Sequence, residues 1–169
     1  MTIGMFGLLA TTACGDDGLG PEAITAAQSK PLCEADCKHD IACGASDDLA
    51  GCTTKCIAEL TILKFRGDAA EALFACTLPL ACDAKDDACE LEIEPLAIHE
   101  QWETKCRASL ATCSDLAPLC EVTPTGKDDD VAVLRFTAPE AMTQLIKCLD
   151  ATTCGARIEC ITEVLPVNL

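Results

Sequence analysis

Residues 33–56 read CEADCKHDIACGASDDLAGCTTKC, with one Cys-x3-Cys pair at Cys33 and Cys37, a second at Cys52 and Cys56, and Cys43 between them. On an α-helix, residues four apart share a face one turn apart, so each pair presents two sulfurs in line. Two such helices laid antiparallel make a ladder. Joining Cys33 to Cys56 and Cys37 to Cys52 gives the same index sum, 89, for both bonds, which is the condition for two rungs in one antiparallel register. Joining Cys33 to Cys52 would need parallel helices, and so short a connection does not return the chain that way. Each bridge brings its Cα atoms to roughly 5.5–6 Å, inside the usual helix spacing of about 8–10 Å. The 26 alanines of the chain permit that approach.

Metal binding fits the cysteines badly. Structural zinc sites, haem attachment and thioredoxin-type redox sites use Cys-x2-Cys spacings, and no two cysteines here are separated by two residues. The two histidines, His39 and His99, sit at places that do not correspond in the internal repeat described below. Neither a metal nor a cofactor is expected.

Fifteen cysteines in 169 residues also say where the chain resides. A reducing cytosol would leave such thiols unpaired, whereas small extracytoplasmic domains use disulfides in place of a large apolar core. Four Phe, one Trp and no Tyr leave little bulk for an interlocking core. The formal charge of −16, with acidic runs at Asp47-Asp48, Asp86-Asp87 and Asp128-Asp129-Asp130, offers no basic patch for phosphates. Nucleic acid is therefore not an expected partner. The acidic runs read as solvated faces.

Beyond residue 56 the chain repeats itself. Leu60-Thr-Ile-Leu-Lys-Phe65 slides onto Val131-Ala-Val-Leu-Arg-Phe136 with an offset of 71, and Cys37, Cys43, Cys52, Cys76, Cys82 and Cys89 find counterparts in Cys106, Cys113, Cys120, Cys148, Cys154 and Cys160 at offsets of 68 to 72. This pattern reads as an internal duplication. Unit 1 is placed at 31–93 with eight cysteines and unit 2 at 94–169 with six, so each count is even and each unit can close alone.

Apolar residues step by three or four through Leu49, Cys52, Cys56, Leu60 and Leu63, and again through Ile98, Trp102, Cys106, Leu110 and Cys113. Start signals stand at Ser29 before Pro31, Asp47, Asp68, Pro95 and Pro139. The expected fold is all-α, with disulfide-stapled helical hairpins in two tandem four-helix units. Leu60 to Phe65 and Val131 to Phe136 read either as short extended links or as helix continuation. Hairpin logic adds Cys106–Cys120, Cys76–Cys89 and Cys148–Cys160, which leaves Cys43–Cys82 and Cys113–Cys154. Eight cysteines nonetheless admit about a hundred connectivities. With only Ile93 to Pro95 between them, the units are expected to pack together, with Trp102 as the anchor.

The N-terminus reads MTIGMFGLLATTACGDDGLGPE, an apolar run too short to span a membrane that stops at Cys14. It resembles a bacterial lipoprotein signal, with Thr12 and Ala13 before the cysteine that is acylated after cleavage. The resemblance implies a signal peptide over 1–13, lipidation of Cys14 and a membrane as the partner of that anchor. Setting Cys14 aside leaves an even fourteen cysteines, as lipidation would require. The stretch 14–30, rich in Gly, Ala and small polar residues, reads as a flexible tether. Together with Cys-x3-Cys, Cys-x5-Cys and Cys-x6-Cys spacings on helices, the ACGDDG start is similar to Cys-rich bacterial lipoproteins of the kind abundant in myxobacteria, over nearly the whole chain. That likeness implies a cell-envelope location.

Two narrower resemblances concern residues 33–56. The twin Cys-x3-Cys pairs are similar to those of the small Tim chaperones of the mitochondrial intermembrane space. Cys37-Lys38-His39-Asp40 resembles the active-site helix of secreted phospholipases A2, which would make His39 a general base and Asp40 a calcium ligand. The second unit carries Arg107-Ala108 at the corresponding place. The leading expectation is a non-enzymatic, lipid-anchored binding or envelope-structural module with a protein or glycan partner. The alternative is a calcium-dependent lipid hydrolase using His39 and Asp40.

Overall fold

Thr25 opens the first helix through a reciprocal pair of bonds: its hydroxyl accepts from the Gln28 N–H, and the Gln28 side chain accepts from the Thr25 N–H at 3.0 Å. In the computed structural model, which describes residues 18–84, 89, 93–120 and 134–166, the helix that follows is α1, Ala26–Ala42. It begins a turn before the start expected at Ser29, and Pro31 lies inside it at the cost of one main-chain hydrogen bond. α2 spans Leu49–Ile62, α3 Gly67–Thr77 and α4 Ala97–Ser109. A 3-10 helix at Ser114–Leu119 precedes α5, Pro139–Cys148, and α6, Cys154–Val164. The described residues are thus helical, and their extended contacts are two isolated bridges, Ala23 with Arg66 and Phe65 with Thr137.

α1 and α2 form the antiparallel hairpin. Cys33–Cys56 and Cys37–Cys52 bridge it, with Cα atoms 5.7 and 5.9 Å apart. Cys43–Cys82 and Cys76–Cys89 complete the first half. Cys106–Cys120, Cys113–Cys154 and Cys148–Cys160 close the second. Closing a loop of about fifteen residues is worth roughly 3 kcal/mol by chain-entropy reasoning. The sequence separations of 12 to 15 in four of the seven bonds are of that size. None of the seven joins one half to the other.

Each half also has its own apolar cluster. Ile24, Leu60, Phe65, Ala69, Ala70 and Phe74 make the first. Trp102, Leu116, Met142, Leu145, Ile161 and Leu165 are central to the second. Three helices are described in the first half, against the four expected of a unit, and much of the chain between α3 and α4 lies outside the described residues. In the second half a short 3-10 turn occupies part of the span corresponding to α2.

Trp102 does not join the halves. It is fully buried in the second cluster, where its Nε1–H donates to the Leu119 carbonyl at 2.8 Å. The junction is made instead by the segments alike in sequence. α2 ends at Ile62, and Lys64 takes the left-handed conformation with φ at 52°, so that the Phe65 N–H returns to the Leu60 carbonyl and the Lys64 N–H to that of Thr61. Gly44, at φ 74°, ends α1 in the same way. Past this turn the Arg66 N–H donates to the Phe136 carbonyl and the Ala138 N–H to that of Lys64, at 2.7 and 2.8 Å. The Phe65 and Phe136 rings stack with centroids 5.3 Å apart. Leu60 to Phe65 ends as a helical turn that becomes extended at Phe65, and the described part of the second segment, from Leu134, does the same at Thr137, while residues 131–133 lie outside the described residues.

Of the stretch 14–30 expected as a tether, residues 14–17 lie outside the described residues and the rest is docked. From residue 18 the chain is pinned to the first half, with the Leu19 N–H on Glu71, the Asp68 N–H on the Gly20 carbonyl, the Gly67 N–H on that of Glu22 and the Ile24 N–H on that of Phe65. Ile24 is buried. The arm lies so close to α3 that a Cβ at residue 67 would sit 2.7 Å from the Leu19 Cβ, which only glycine avoids. Leu19 and Ile24 are lone apolar residues among small polar ones, so periodicity could not reveal this docking.

Two substitutions follow from these local costs. Lys64→Gly removes the left-handed penalty of a side chain and should raise the unfolding free energy by about 1 kcal/mol in urea titration. The Thr53 hydroxyl, buried on α2, has no hydrogen-bond partner among the described residues. Thr53→Val should therefore be stabilising by about 1 kcal/mol in the same measurement, because it removes a desolvated polar group at nearly constant volume.

Candidate functional site

Cys14 lies outside the described residues. His39 sits in the last turn of α1, half-buried, with Nε2 2.9 Å from the Leu80 carbonyl and 3.8 Å from the Cys43 sulfur. A carbonyl only accepts, so Nε2 carries the proton and donates. The ring thereby ties the end of α1 to the turn after α3, beside the Cys43–Cys82 bridge. Asp40 follows it at the helix end. Among the described residues, no three His, Cys, Asp or Glu side chains are grouped as a metal site.

His99 is enclosed at the junction of the halves. Its Nδ1 accepts from the Leu96 N–H at 2.9 Å, so the ring proton is on Nε2, which donates to the Thr137 carbonyl at 3.0 Å. Arg66, also buried, forms an ion pair with Asp68 and donates to the Glu94 carbonyl. Arg135 donates to the Ile93 carbonyl at 2.7 Å. The short linker is thus held at Ile93, Glu94 and Leu96 by side chains from both halves. Burial pushes the His99 pKa below the ordinary imidazole range and Arg66 reinforces this, while the bond to Thr137 opposes it.

A groove of about 320 Å³ opens between α1, α2 and α3. Leu60, Leu63, Phe65, Leu73 and Phe74 line it, and Asp36 and Glu59 supply its charge. Glu59 pairs with Lys55 at 3.7 Å. Asp36, half-buried, has no hydrogen-bond donor among the described residues. Burial raises its pKa above the usual carboxylate value and nearby Asp40 adds to this, with His39 opposing. A concave apolar surface with a few polar groups at its wall is what a small-ligand site requires.

Comparison with protein-family models, curated proteins and solved structures finds no match to this chain. The site must be read from its own residues. His39, the residue that the sequence motif points to, serves the fold as a tie, whereas no motif marks Asp36 or His99. A signal for Asp36 was present all the same, because its counterpart in the second half is Lys105, a reversal of charge at one place in the repeat.

The state of His99 has a measurable consequence. Its folded pKa is depressed, so its contribution is complete above the unfolded value of about 6.5 and is lost as the pH falls from there through the folded value. The stability advantage of the native chain over His99→Ala should be constant above about pH 7 and should narrow as the pH falls through and below about 6.5, in urea titrations at each pH.

Proposed function

We propose that the protein is a lipid-anchored, extracytoplasmic binding module of the bacterial cell envelope, tethered through an acylated Cys14 and acting through its surface on a protein or glycan partner. The observation that carries this reading is the pairing of all fourteen other cysteines. Seven disulfides point to an oxidising compartment. They account for every cysteine but Cys14, whose acylation the lipoprotein-like start implies. No described helix is long and apolar enough to cross a membrane, so a spanning helix among those residues does not supply attachment.

Acyl chains on Cys14 would give the stable anchoring that a single chain does not, and the acidic body would be held off anionic head groups. With the described chain pinned from residue 18, only a few residues separate the anchor from the folded body, about 3.5 Å each when extended.

Detergent-phase partitioning of expressed protein tests the anchor. The native chain should enter the detergent phase, and Cys14→Ser should appear as soluble protein or unprocessed precursor. Mass spectrometry showing an unmodified Cys14 in the mature protein would overturn the reading. Crosslinking in intact envelopes should recover a reproducible protein or glycan. Calcium-dependent release of fatty acid from phospholipid, lost in His39→Ala, would replace the binding module with a hydrolase.

A further inference from the structure

The two halves treat one place in their architecture in opposite ways. Lys105 immediately precedes the stapled Cys106 on α4, as Asp36 immediately precedes the stapled Cys37 on α1. In the second half the Lys105 stem crosses from α4 to α5, with Nζ 3.2 Å from the Ile146 carbonyl and 2.6 Å from the Asp150 carboxylate. Ile146 stands two residues before Cys148, as Phe74 stands two before Cys76. The corresponding crossing in the first half, from α1 to α3, has a carboxylate where the lysine would be, and the space beside it is the groove of about 320 Å³.

We propose that this groove binds a small amphipathic amine: an unbranched aliphatic chain ending in a primary ammonium, with the chain against Leu63, Leu73 and Phe74 and the ammonium on Asp36. The proposal goes beyond the binding-module reading, giving the groove a small-molecule ligand in addition to the protein or glycan partner of the surface. The second half shows the chemistry that fills this place, an alkyl stem carrying an ammonium, and the first half presents the complementary charge without the stem. Glu59 already has Lys55, whereas Asp36 has no hydrogen-bond donor among the described residues. The apolar lining disfavours a glycan, and the formal charge of −16 repels anionic amphiphiles. The volume is that of a small-molecule site rather than of a flat protein interface.

The test titrates the oxidised full chain with decylammonium, decanol and decanoate, each below its aggregation concentration, by calorimetry and by methyl NMR. Decylammonium should bind at one site and shift the methyls of Leu63 and Leu73, with decanol weaker by about tenfold or more and decanoate weaker still. Asp36→Asn should reduce decylammonium affinity to that of decanol. Asp36→Lys, which brings the second half's arrangement into the first, should abolish binding while circular dichroism and the seven disulfides are unchanged. Equal binding of decylammonium and decanol, or indifference to Asp36→Asn, would overturn the proposal. So would binding of a lysine-bearing peptide where decylammonium does not bind, which would assign the groove to a protein partner. Recovery of a crosslinked partner from envelopes decides the binding-module reading separately, whatever decylammonium does.

Discussion

Two helices bridged at two levels can neither slide nor rotate past one another, and the rest of the first half depends on that constraint. Cys33–Cys56 and Cys37–Cys52 fix the register of α1 against α2, with Cα separations of 5.7 and 5.9 Å. Side-chain packing alone leaves helices more freedom to slide and rotate. The chain has few large aromatic residues for such packing, and covalent bonds take over much of the work of a core.

The halves are joined by different means. Their disulfides stop at the boundary, and the contact across it combines two main-chain hydrogen bonds, one pair of stacked rings and the Arg66 and Arg135 side chains on the Glu94 and Ile93 carbonyls. Such a junction is individually weak in each part, since a hydrogen bond contributes about 1 kcal/mol net. It is nevertheless specific, because Arg66, Arg135 and His99 satisfy main-chain groups of the linker that burial would otherwise leave costly. Reduction therefore acts directly on each half and leaves the bonds of the junction in place.

The same scaffold accommodates opposite local chemistry. In the second half a lysine closes the crossing between helices; in the first a half-buried carboxylate borders an open apolar groove. A framework held by covalent bonds tolerates such exchanges, because its stability does not depend on filling every space with side chains.

Spacing alone determined the hairpin. The Cys-x3-Cys pairs and their common index sum contain the antiparallel register, and apolar steps through Trp102 and Cys106 mark the face of α4 that is buried. Local periodicity and covalent geometry act over a few turns, so they can be read along the chain. What only the tertiary structure decided is what meets across distance: Trp102 inside its own half, Phe65 on Phe136, the arm around Leu19 and Ile24 against α3, and Asp36 beside an unfilled groove. None of these contacts has a period or a motif, because each depends on where two separately formed pieces come to rest.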